Sequence, residues 1–120
     1  MVSESTARTE PQIVAVAQDR ANARIELHIP ENLRYFEGHF PGCPILPGVV
    51  QLNWAIRFGQ QHFVLPPRFT HLANIKFMRV IVPGKNVVLA LRHAPERNEL
   101  AFEYRIGEAV CSSGVIGFAQ

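Results

Sequence analysis

Apolar and polar positions alternate along the carboxy-terminal half of this chain. In ELAFEYRI (99–106), Leu100, Phe102, Tyr104 and Ile106 fall on one face and Ala101, Glu103 and Arg105 on the other, the period of a half-buried strand. THLANIKFMRVIV (70–82), NVVLALRHA (86–94) and AVCSSGVIGFA (109–119) also read as strands, separated by the turn sequences PGK, PERN and GE. Near the amino end, QIVAV (12–16) and ARIELHI (23–29) flank the polar turn AQDRAN. Ile25, Leu27 and Ile29 alternate with Glu26 and His28, so the pair predicts a first hairpin. Between the two sets the period changes. The spacing predicts a helix over 47–63, with Pro47 tolerated in its first turn and the two prolines of VLPPR (64–68) ending it. Val49, Val50, Leu52, Trp54, Ala55, Ile56, Phe58 and Phe63 cover most of its circumference, leaving Asn53, Arg57, Gln60 and Gln61 as a polar stripe.

A helix that apolar has to be buried, and the strands supply what buries it. The expected class is α+β, an antiparallel sheet curled around one central hydrophobic helix. The expected organisation is a disordered amino-terminal tail over 1–11 and one domain over 12–120. Composition narrows the function. Twelve Lys and Arg against ten Asp and Glu form no basic block, so nucleic acid is not an expected partner. No apolar run approaches the roughly 18 residues of a membrane span, and the amino end lacks the apolar stretch of a secretory signal, so the expectation is a cytoplasmic protein. Cys43 and Cys111 lack CxxC spacing and read as reduced thiols; His28, His62, His71 and His93 have no metal-ligand spacing.

The costliest stretch is YFEGHFPGCPILPGVVQLNWA (35–55), where glycines 38, 42 and 48 and prolines 41, 44 and 47 surround His39. The prolines fix the path and the glycines permit close approach, so the segment is stiff, as a preorganised site requires. It leads into the start of the helix, whose free N–H groups and positive dipole end would polarise a carbonyl oxygen beside Gly48. His39, on the same loop, would then be placed to remove a proton from the adjoining carbon.

GHFPGCPILPGVVQLNWA resembles the signature of the hotdog-fold 3-hydroxyacyl-acyl carrier protein dehydratases of bacterial fatty acid synthesis, GHFPGxPxxPGVL followed by a carboxylate on the helix. ANIKFMRVIVPGK is similar to the family's A-x-x-x-x-F-x-R-x-V-x-P-G-D segment, GEAVCSSGVIGFA to its final strand, and the resemblance covers residues 12–120. VVQLNWA looks most like the branch encoded in aryl polyene and related pigment clusters. The resemblance implies a hotdog fold and His39 as the catalytic histidine. It implies a thioester carbonyl held at the Gly48 amide, and a second catalytic group fourteen residues after the histidine, supplied by the partner subunit. In this chain that position is Asn53, an amide where the family has Asp or Glu. An amide can hold a water or a substrate hydroxyl but cannot donate a proton as a carboxylic acid does.

The expected reaction is elimination of water from a 3-hydroxyacyl thioester on an acyl carrier protein, by a homodimer or higher homo-oligomer, with no metal or redox cofactor. A hotdog thioesterase using the same helix end, and a non-catalytic acyl-thioester binder, are the alternatives. Glu37, two residues before His39, reads as a solvated loop charge, with a substitute carboxylate as the alternative. Cys43 occupies a variable slot of the motif without an activating partner. Arg57, Arg68, Lys76, Arg79 and Lys85 read either as a docking patch for an acidic carrier protein or as ordinary surface charge.

Overall fold

The computed structural model describes residues 9–32 and 44–119. Its elements follow the predicted order: β1 (Gln12–Gln18), β2 (Asn22–His28), α1 (Gly48–His62), β3 (Phe69–Phe77), β4 (Asn86–Ala94), β5 (Glu99–Ile106) and β6 (Ala109–Phe118). The strands form one antiparallel sheet in the order β1-β2-β4-β5-β6-β3. The strand on either side of the helix in sequence therefore does not neighbour the other in space. β2 pairs with β4, and β3 crosses to the far edge beside β6.

Alternation decides which face closes. Ile25 and Leu27 of β2, Leu89 and Leu91 of β4, Leu100, Phe102 and Tyr104 of β5, and Ile116 of β6 are all buried, and on that face they meet Trp54, Ala55 and Phe58 of α1. Burying such side chains contributes about 1.5–3 kcal/mol each before the entropy of ordering them is subtracted. The helix's buried stripe is Val50, Gln51, Trp54, Ala55, Phe58 and Gly59, narrower than its composition predicts. Val49 is 72% exposed, and Leu52 and Ile56 are half-buried.

Three local features shape the sheet. The β1–β2 turn closes on Asp19, whose Oδ1 accepts from the backbone N–H of Asn22 at 2.9 Å and of Ala21 at 3.0 Å, holding this carboxyl below the usual aspartate range. β3 carries an irregularity between Ala73 and Lys76, where Asn74 takes a left-handed φ of 56°, a conformation asparagine tolerates better than most residues. β3 also stops at Phe77, whereas the sequence predicts a strand running to residue 82. Met78 and Arg79 both turn their N–H groups onto the single Cys111 carbonyl, at 2.8 and 3.1 Å, a two-against-one bulge, and regular pairing ends at Phe77 opposite Ser112.

Gly59 marks the closest approach of helix and sheet: a Cβ built there collides with Leu100 Cδ2, and Leu100 is fully buried. Alanine would gain about 1 kcal/mol of helix propensity, but overpacking a filled core costs about 1–3 kcal/mol. Because Leu100 has no solvent into which to move, the second effect wins. Gly59→Ala is expected to lower unfolding free energy by up to about 2 kcal/mol in urea denaturation, whereas Gln60→Ala, one residue on and exposed, is expected to leave it unchanged or slightly raised.

Candidate active site

The first turn of α1 is built without a conventional cap. Pro47 stands at the N-cap with extended backbone, no side chain caps the helix, and the first turn holds no acidic residue. Pro47 can offer only its carbonyl, which accepts from Val50 N at 3.1 Å and Gln51 N at 3.2 Å. Gly48 and Val49, the first two helical residues, have no carbonyl a turn earlier in the helix to receive their N–H groups. Among the described residues neither donates to a backbone carbonyl elsewhere.

What holds this end in place is a buried polar cluster beneath it. Gln51 and Ser112 are the buried polar residues of the described core. Gln51 Nε2 donates to the Leu46 carbonyl at 3.1 Å, which fixes the amide orientation, and Gln51 Oε1 then accepts from Ser112 Oγ at 2.6 Å. Tyr104 Oη donates to the Gln51 main-chain carbonyl at 2.8 Å, and its complete burial pushes the phenol pKa far up, so it stays a donor at any working pH. The N–H of Leu46 donates to Ile81 O at 2.8 Å. Both backbone groups of Leu46, two residues before the helix starts, are thereby satisfied.

The segment leading into α1 and the segment leaving β3 enclose a cavity of about 390 Å³, lined by Ile45, Leu46, Pro47, Gly48, Gln51 and residues 77–80. Its walls are mainly apolar side chains, with Arg79 as its charged member. Phe77 closes over the glycine: a Cβ on Gly48 would come within 2.6 Å of Phe77 Cζ. The absent side chain thus makes room for an aromatic ring. A second hollow of about 420 Å³, lined by Arg79, Val80, Ile106, Ala109 and Cys111, adjoins it across Arg79 and Val80. A larger hollow of about 530 Å³ on the outer sheet face is lined by residues such as Lys76, Ala90, Arg92, Ala101 and Glu103 and includes neither Gly48 nor Asn53.

Residues 15–115 match the family model of the ApeI-like proteins, described as ApeI dehydratase. The chain belongs to the ApeI-like dehydratase family. Its fold superposes with a TM-score of 0.87 on a chain from the dehydratase heterocomplex ApeI:P of Xenorhabdus doucetiae, at 28% identity, covering 92% of this chain and 99% of that one. It is also 30% identical over 100 residues to the 3-hydroxyacyl-[acyl-carrier-protein] dehydratase FabZ of Shewanella sp. strain W3-18-1, covering 71% of this chain and 65% of that protein, so the match spans slightly under two thirds of the relative's length. FabZ of Tolumonas auensis is 30% identical over 111 residues, covering 82% of this chain and 74% of the relative. The hotdog fold and the aryl polyene branch expected from the motif both hold for this chain.

Of the residues that the motif singles out in this ApeI-like chain, Gly48 lines the cavity at the helix start and Asn53 is exposed on α1. His39, Glu37 and Cys43 lie outside the described residues. Three of the five basic residues read as either a docking patch or ordinary surface charge fall in different surroundings. Arg57 makes two bonds to the Glu10 carboxylate, at 2.6 and 2.8 Å, Lys76 lines the outer sheet hollow, and Arg79 borders the cavity. Sequence reading passed over Gln51, Ser112 and Tyr104. The signal was present, because Gln51 falls at helical spacing with Trp54, Ala55 and Phe58, a polar residue on the face that must be buried. No described helix is long and apolar enough to cross a membrane, and no metal-like cluster occurs among the described residues.

Cys111 is a free, buried thiol beside the cavity wall, and burial pushes its pKa up, which outweighs the favourable influence of the Ile106 backbone and of Arg79. Little thiolate forms at pH 8, and the sulfur is shielded. Treatment with a disulfide reagent at that pH is expected to leave Cys111 unmodified in the folded protein and to modify it fully in denaturant, as read by peptide mass mapping.

Proposed function

We propose that this protein removes water from 3-hydroxyacyl thioesters held on an acyl carrier protein, giving trans-2-enoyl thioesters for fatty acid or polyene assembly. The observation that carries the reading is an apolar cavity opening on a glycine-started helix end, in a chain of the ApeI-like dehydratase family. The thioester carbonyl accepts from the Gly48 amide at the positive end of α1, which stabilises the enolate as negative charge moves onto the oxygen. His39 takes the proton from the carbon next to the carbonyl. The bond from the neighbouring carbon to its hydroxyl breaks, and the hydroxyl leaves as water once it has received a proton. Arg79, at the cavity border, suits the acidic surface or the phosphate-bearing arm of a carrier protein.

Asn53 leaves the source of that last proton open within this chain. A symmetric pair would bring two Asn53 amides and no carboxylate from this helical position to its two sites. The relative from Xenorhabdus doucetiae is part of a dehydratase heterocomplex. We therefore read the partner as a second, different hotdog chain that offers a carboxylate at the matching helical position, and a homodimer as the less complete assembly. β3 is the surface this partner would cover. It is an edge strand whose residues are exposed or half-buried, and Phe69, Leu72 and Phe77, with Met78 and Val80 beyond its end, leave apolar area in water.

Incubation with a short 3-hydroxyacyl pantetheine thioester, following enoyl absorbance and free thiol together, tests the reaction. Enoyl product without thiol release is expected; thiol release would mean a thioesterase, and binding without turnover a non-catalytic acyl binder. His39→Ala is expected to lower turnover about a hundredfold or more while the fold remains intact by circular dichroism. A rate close to wild type would make His39 structural. For the chain assayed without a partner, Asn53→Glu is expected to keep or raise the dehydration rate, since it returns an acid to the pair. A folded Asn53→Glu with less activity than wild type would mean that the amide itself positions water or substrate.

A further inference from the structure

We propose that Gln51, anchored by Ser112 and Tyr104, is the positioning residue that aims the Gly48 amide, and so sets the turnover rate without touching substrate. The inference rests on the reading of the Gly48 end as the carbonyl-binding site.

A donor that stabilises a developing oxyanion works only if its direction is fixed before the charge appears, because a group that must rotate into place spends part of its effect on reorganisation. Helix ends are ordinarily fixed by a capping side chain, and α1 has none. Its start is preceded by Pro47, which has no N–H with which to tie itself down. Direction is therefore set from outside the helix. The Leu46 N–H is held by Ile81 O and the Leu46 carbonyl by Gln51 Nε2, so the chain enters Pro47 from a clamped residue.

Gln51 in turn is not free to swing. Its Oε1 accepts from Ser112 on β6 and its main-chain carbonyl accepts from Tyr104 on β5. Those two partners sit opposite each other in the β5–β6 register, so a single cross-strand pair supplies both anchors. The cluster thus transmits the rigidity of two central strands to a helix end that would otherwise fray. An apolar side chain at position 51 would fill the space and leave the Leu46 carbonyl and the Ser112 hydroxyl buried without partners, a cost that the protein avoids only by letting the entry segment move. A merely structural role for Gln51 would appear in stability. A positioning role appears in kcat, because the amide bonds the transition state more strongly than the substrate.

The full-length protein, in whatever assembly it forms, is assayed on a short 3-hydroxyacyl pantetheine thioester as Gln51→Leu, Ser112→Ala, Tyr104→Phe and the Gln51→Leu/Ser112→Ala double variant. Gln51→Leu is expected to lower kcat about ten- to hundredfold with KM changed less than about threefold. Ser112→Ala and Tyr104→Phe should show the same split with smaller losses, and the double variant should be no slower than Gln51→Leu alone, since the two residues act as one unit. The second readout is the Gly48 amide resonance in a selectively ¹⁵N-glycine-labelled sample. A non-reacting acyl-pantetheine amide should shift it in the wild type, and by less in each variant. If Gln51→Leu cannot be purified folded, Ser112→Ala and Tyr104→Phe decide the matter alone. Folded variants that keep kcat within about threefold, or that shift the Gly48 resonance as the wild type does, overturn the positioning role while leaving the dehydratase reading intact. A wild type that neither turns over the thioester nor moves the Gly48 resonance overturns both.

Discussion

Burial of one helix against one sheet face is the constraint on which the rest of this structure depends. α1 can be accommodated only if Trp54, Ala55 and Phe58 meet the inward side chains of β2, β4, β5 and β6, and its close approach at Gly59 leaves no room for a side chain. Only one stripe of the helix is buried, and its first turn lies at the margin of the core, with Val49 exposed and Val50 and Gln51 inside. The first N–H groups there have no carbonyl a turn earlier in the helix to receive them. This protein has a cavity of about 390 Å³ there, with glycine as the first helical residue.

Placing polar groups at that depth has consequences on the sheet side. Ser112 and Tyr104 are inward-facing positions on central strands, where apolar residues would pack more cheaply. Their hydroxyls are satisfied by the two oxygens of Gln51, and its amide by Leu46, so the described members of the cluster are mutually paired. A fully paired buried cluster costs little in net stability and gives a unique geometry, which an all-apolar contact of the same volume would not specify as tightly. The same chemistry appears more weakly at the other end of the helix. There His62 Nδ1 donates to Gln18 Oε1 at 2.8 Å while Gln18 Nε2 donates to the His62 carbonyl at 2.7 Å, tying the edge strand β1 to the helix terminus. Because a glutamine Oε1 can only accept, this pair fixes the imidazole tautomer as well.

The two edges of the sheet differ in how they meet water. β1 exposes Ile13, Val14 and Val16 but is held to the helix end by Gln18. β3 has its irregular turn at Asn74 and continues into Met78 and Val80, which help wall the cavity. Any chain that covers β3 therefore lies beside the candidate site, and the state of that edge and the shape of the site are physically coupled. One solved relative comes from a dehydratase heterocomplex of Xenorhabdus doucetiae; this chain carries an amide at position 53 and an apolar edge at β3.

The sequence by itself determined the elements, their order and the family. Alternation at Leu100, Phe102 and Tyr104, the crowded apolar helix, and the Gly-Pro segment around His39 are local patterns, and local patterns survive without knowledge of distant contacts. It also singled out Gly48, expected at a carbonyl-binding helix end, and Asn53, an amide where the resembled motif carries a carboxylate. The tertiary structure alone decided which helix positions are buried, because that depends on which way the stripe rotates against the sheet: Val49 came out exposed and Gln51 came out inside. It decided that β3 ends at Phe77, since the competing acceptor, the Cys111 carbonyl, lies more than thirty residues away in the chain. It brought Leu46, Gln51, Tyr104 and Ser112 into a single cluster, a meeting of residues from a loop, a helix and two strands that no spacing rule along the chain encodes. Hydrogen bonds of that kind are fixed by register and crossover, and these are settled only when the whole sheet closes on the helix.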